Sequence, residues 1–140
     1  MNFSEARSIN PSDPFDAVCS RLLNNKIEKK YDHILIDEAQ DLPNSFFLIC
    51  YNLSKGVSGK EKNIVWGYDD LQSIFNIYQR TPQELFGDDE NGNARVNLRQ
   101  YRSETPSLDN DLVLYRCYRT PLEVLLTAHA LGLGIYSSEY

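Results

Sequence analysis

Asp37, Glu38 and Asp41, with the carboxamide Gln40 among them, crowd into five residues directly behind the apolar run Ile34-Leu35-Ile36. Acids placed at the end of an apolar strand face the ligand side of an open α/β sheet rather than its core. In that setting Asp37 suits Mg²⁺, a hard cation held through one or two carboxylates plus water and phosphate oxygens. Glu38 is suited to orient or deprotonate an attacking water. The plainer alternative is that both acids open a helix, where negative charge meets the positive end of the dipole. A second apolar run, Asn63 to Tyr68, also ends in acids, Asp69-Asp70, and leads into Leu71-Gln72-Ser73-Ile74-Phe75. Taken alone, that group reads better as an ordinary strand-to-helix cap. Tyr118-Arg119 precedes Thr120-Pro121-Leu122-Glu123, and an arginine immobilised beside a helix start can stabilise developing phosphate charge. Its alternative is an ion pair with a nearby acid.

The elements that must position these groups follow from spacing. Strands are expected at Asp32–Ile36, Asn63–Tyr68 and Asp111–Arg116. Between the first two lies Ser45–Leu53, an apolar helix that Gly56 can end, long enough to return the chain for a parallel pairing. Asp13 with Pro14 opens an amphipathic helix to about Asn24. Thr81-Pro82-Gln83-Glu84 is a capping box for a short helix closed by Gly87, and Thr120 with Glu123 forms a second, for a helix to about Leu131. Residues 1–12 show no periodicity and are expected as a flexible lead-in to a domain over 13–140. Residues 88–110 form an expected exposed insertion, with Asn91-Gly92 as a tight turn. The fold class expected is α/β, a mainly parallel sheet flanked by helices.

The acidic motif resembles motif II of the superfamily 1 helicases of the UvrD and Rep type, an aliphatic strand followed by Asp-Glu-x-Gln-Asp, matched here at Asp37, Glu38, Gln40 and Asp41. Asp69, Gln72, Ser73, Ile74 and Phe75 resemble motif III, with Tyr68 as an extra residue after Gly67. Tyr118 and Arg119 resemble motif IV, with Cys117 where relatives commonly have Asn. The resemblance implies a partial RecA-like (P-loop NTPase) motor domain that binds ATP and Mg²⁺ and couples hydrolysis to movement along single-stranded DNA. It implies Asp37 for the metal, Glu38, Gln72 and Arg119 as catalytic groups, and Gln40, Asp41, Asp69 and Tyr118 around the nucleotide. Phe75 or Tyr78 would meet a DNA base, although an aromatic beside Ile74 is equally suited to a core. The family's phosphate-binding loop, Gly-x-x-x-x-Gly-Lys-Thr/Ser, has no match in these residues; Gly56 to Glu61 lacks its spacing and hydroxyl, and reads as a surface turn. The chain is therefore expected to be a motor fragment, inactive alone, whose partners are DNA and the remaining motor segments.

Composition limits the alternatives. At 140 residues and 41% hydrophobic content, one core is affordable. A net charge of −6 argues against unaided binding of nucleic acid, which draws its affinity from Lys and Arg at phosphates. Cys19, Cys50 and Cys117 stand far apart, indicating neither zinc nor a disulfide framework, and a reducing, cytoplasmic setting is expected. No signal peptide or membrane span is legible. Two other functional classes remain open: a two-metal nuclease or phosphoesterase using Asp37, Glu38, Asp69 and Asp70, and a non-catalytic binding module.

Overall fold

The computed structural model describes residues 1–56, 62–69, 80–96, 98, 110, 112, 114 and 116–132, in two compact units, Met1–Asn97 and Leu98–Tyr140. The first unit is mixed α/β: a small parallel sheet of two strands, flanked by helices.

Helix α1, Phe3–Ile9, lies within the expected lead-in. It starts at a capping box built on Asn2, whose Oδ1 accepts from the Glu5 amide at 2.9 Å while the Asn2 amide donates to the Glu5 carboxylate at 3.1 Å. The sequence reading missed it because the helix is too short to show a periodic stripe and its cap is Asn rather than Ser or Thr. Helix α2, Pro14–Leu23, starts where expected, with Asp13 accepting from the Asp16 amide. The Ser45 hydroxyl donates to the Asp16 carboxylate at 2.6 Å, pinning α2 to the start of α3, Asn44–Leu53. The C-cap of α3 is Ser54, so the chain leaves the helix before Gly56 takes up its positive φ of 76°.

Strands β1, Ile34–Ile36, and β2, Ile64–Trp66, pair in parallel with Ile34 opposite Ile64, Leu35 opposite Val65 and Ile36 opposite Trp66. On one face Ile34, Ile36, Ile64 and Trp66 pack on Phe47 of α3 and on Leu85 and Phe86 of α4, Pro82–Phe86. Phe86 is the hub: its ring lies 5.6 Å from Phe47 and 5.4 Å from Trp66, both edge to face, an arrangement favoured by the ring quadrupoles. Helix α4 carries the expected Thr81–Glu84 capping box, and Gly87 ends it at φ 70°. Beyond it, Asp88 and Ala94 pair across a turn in which the Asp89 carboxylate accepts from the amides of Asn91 and Asn93, and Gly92 takes φ 80°.

The second unit contains α5, Leu122–Gly132. It begins one residue later than the Thr120–Glu123 box predicts. Leu112, Leu114 and Arg116 carry no strand, which corrects the third strand expected at 111–116 for the described residues of that segment. Leu112 and Leu114 stand exposed, 78% and 92%. Among the described residues no helix is long and apolar enough to cross a membrane.

Candidate functional site

The parallel ladder does not stop cleanly at the ends of its strands. The Gly67 amide donates to the Ile36 carbonyl at 2.9 Å, as a regular parallel pair requires, and the next bond in register would come from Glu38 to the Gly67 carbonyl. It comes instead from Ala39, at 2.9 Å. One residue is therefore inserted, and the Asp37-Glu38 pair bulges out of the ladder where the acids begin. Glu38 absorbs the bulge in the left-handed region, φ 50° and ψ 44°, the one non-glycine residue with positive φ among those described. A left-handed residue with a Cβ costs on the order of 1–2 kcal/mol, so the surrounding bonds must hold it there.

Those bonds are visible. Asp37 Oδ1 accepts from the Glu38 amide at 3.0 Å, and a 3-10 turn, Ala39–Asp41, follows at once. Gln40 then spans the two strand ends: its Nε2 donates to Glu38 Oε2 at 2.7 Å, and its Oε1 accepts from the Asp69 amide at 3.1 Å. The group behind β1 and the first acid behind β2 are thus tied at one edge of the sheet. Asp37, Glu38 and Asp41 are exposed; Gln40 and Asp69 are half-buried. Gly67 backs the site closely, since a Cβ there would lie 3.9 Å from Asp37 Oδ1, an ordinary contact.

From beneath, the turn is held by Arg80, which the sequence reading passed over. Its Nη2 donates to the carbonyls of Ala39 and Gln40 at 3.1 and 3.3 Å, and its Nη1 donates to Asn44 Oδ1 at 2.7 Å. The guanidinium stacks over Phe47, 5.6 Å from the ring centroid. Burial lowers its pKa, and the neighbouring Glu84 partly restores it. The available sequence signal was its position: a cation immediately ahead of the Thr81 cap, in a stretch otherwise rich in acids and amides.

Of the predicted site residues, Asp37, Glu38, Gln40, Asp41 and Asp69 come together at this edge. Gln72, Phe75 and Tyr78, like Asp70, lie outside the described residues. Tyr118 and Arg119 belong to the second unit, exposed in the turn ahead of α5. There the backbone amides of Thr120 and Arg119 donate to the Cys117 sulfur and lower its pKa.

Mg²⁺ fits this edge in one mode. Asp37 offers an exposed carboxylate with the second carboxylate of Glu38 next along the chain, which matches a cation carried largely by water and phosphate oxygens. A cage of protein ligands does not fit, because no three His, Cys, Asp or Glu side chains converge among the described residues. The chain matches no protein-family model, no curated protein and no solved structure.

Proposed function

We propose that this chain is part of a UvrD/Rep-like, superfamily 1 ATP-driven motor, and that the bulged turn behind β1 is the Mg²⁺ and water side of its nucleotide site. The observation that carries the reading is the Gln40 bridge from Glu38 to Asp69. It joins the two acidic motifs as one assembly, as a shared nucleotide site requires and as two unrelated strand caps would not. Asp37 would hold the metal, which when bound neutralises phosphate charge. Glu38, held out of the ladder with its carboxylate oriented by Gln40, would accept a proton from the attacking water. Gln72 and Arg119 would respond to the γ-phosphate, Gln40, Asp41, Asp69 and Tyr118 would line the nucleotide, and Phe75 or Tyr78 would meet a base of single-stranded DNA. A RecA-like sheet would supply the common edge.

The test compares two proteins. The 140-residue chain alone should neither bind ATP tightly nor release phosphate, because most nucleotide affinity comes from the amides and lysine of a phosphate-binding loop that these residues do not contain. In a protein that joins this chain to such a loop, Glu38→Gln should preserve ATP binding and depress turnover steeply. Calorimetric titration with ATP and a phosphate-release assay measure both. Unchanged turnover in Glu38→Gln would remove Glu38 from the chemistry. Metal-dependent cutting of plasmid DNA, lost in Asp69→Ala, would replace the motor with a nuclease.

A further inference from the structure

Among the described residues Arg80 makes three hydrogen bonds, and each goes to the turn or to the helix that follows it. Two reach the carbonyls of Ala39 and Gln40, and the third reaches Asn44, the first residue of α3. Asn44 in turn donates from Nδ2 to the Glu84 carbonyl in α4 at 2.8 Å, so the network closes on the helix that starts beside Arg80. Phe47, fully buried, forms the floor beneath the guanidinium. A planar fork with several fixed donors suits this task, whereas a lysine offers a single point of charge.

This anchoring bears on the acids through geometry. The bulge leaves Asp37 and Glu38 outside the ladder, and the strained Glu38 is bracketed by the Ala39–Gly67 bond and by the backbone that Arg80 grips. If that grip is lost, Glu38 can relax from the left-handed region, and the carboxylates on either side of its amide turn with it.

We propose that Arg80 is the positioning residue of the divalent-cation site at Asp37, holding the Ala39–Gln40 backbone so that the bulged acids stay aligned for metal. The proposal rests on the cation reading given above. Partners that orient metal ligands without touching the metal typically account for 10–100-fold in affinity.

The experiment titrates the full chain with Mn²⁺ alone, following paramagnetic broadening of the backbone amide resonances of residues 36–41. In the wild type these signals should broaden saturably, and Asp37→Asn should abolish the effect. Arg80→Gln should raise the Mn²⁺ midpoint about tenfold, with Arg80→Lys between the two. Cys50→Ala, which loosens the core without touching the Arg80 network, should leave the midpoint unchanged although it lowers thermal stability. Equal midpoints in wild type and Arg80→Gln would overturn the role of Arg80 and leave the cation site standing. So would a shift in Cys50→Ala as large as that in Arg80→Gln, since general loosening would then explain both. Absence of broadening in the wild type would sink the cation reading itself. If Arg80→Gln does not fold, Asn44→Ala removes one acceptor only; a smaller rise in the midpoint supports the proposal, and no rise overturns it.

Discussion

The two faces of the β1–β2 pair carry the same kind of side chain and meet different surroundings. Ile34, Ile36, Ile64 and Trp66 pack on Phe47 and Phe86, while Leu35 and Val65, opposite each other in register, remain 80% and 62% exposed. Parallel strands usually read as continuous apolar runs because helices cover both faces. Here the run Ile34-Leu35-Ile36 is continuous and, among the described residues of the first unit, the cover lies on one face. The site sits at the rim between them, where the covered face supplies Phe47 beneath Arg80 and the ladder supplies the bulge. An apolar run thus reports what a strand tolerates, while the helices decide which side carries the stability.

Emptying the covered face should have the largest effect. Phe86→Ala removes the ring that joins Phe47, Tyr51 and Trp66, and a buried Phe→Ala change costs about 3–5 kcal/mol, read as a lower denaturant midpoint. A loss below ~1 kcal/mol would show that the core lies elsewhere.

A pH titration sharpens the same contrast. Burial pushes the Cys50 thiol up from 9.0 to about 11. Below pH 9.0 both folded and unfolded thiols are protonated, so stability is level. Between 9.0 and about 11 the unfolded chain ionises Cys50 while the fold resists, and stability should fall across that window. Exposed Cys117, its pKa lowered by the amides of Thr120 and Arg119, should react with a thiol reagent well before Cys19 and Cys50. Simultaneous reaction of all three thiols in the native protein would contradict the burial of α2 against α3.

Glu38→Gly should stabilise the fold by about 1 kcal/mol, since glycine enters the left-handed region without the Cβ penalty. The same change deletes the carboxylate proposed to activate water. Destabilisation instead would mean that the Gln40–Glu38 bond outweighs the strain.

The smallest effects belong to the open face. Leu35→Ser and Val65→Thr should each change stability by no more than about 0.5 kcal/mol, measured by the same denaturation. Losses approaching that of Phe86→Ala would show that this face is covered in solution.

Local chemistry made much of this legible from the sequence. Asp13-Pro14 and Thr81-Pro82-Gln83-Glu84 start helices because side-chain oxygens satisfy free amides within three residues, a bond that needs no distant partner. The apolar runs around Ile34 and Ile64, separated by one helix, sufficed for a parallel pair with acids at a shared edge. Tertiary structure decided the rest. The open face at Leu35 and Val65 depends on where α3 and α4 pack, and the bulge at Glu38 appears only when Ala39, rather than Glu38, finds the Gly67 carbonyl. Arg80 showed no motif because its partners are carbonyls about 40 residues away in sequence, which any residue type supplies. The Thr120 box has the Thr, Pro and Glu of the Thr81 box at the same spacing, yet α5 starts a residue later than that spacing predicts. Sequence determines which groups seek bonds within a turn of themselves; only the packed chain determines which of them are already taken.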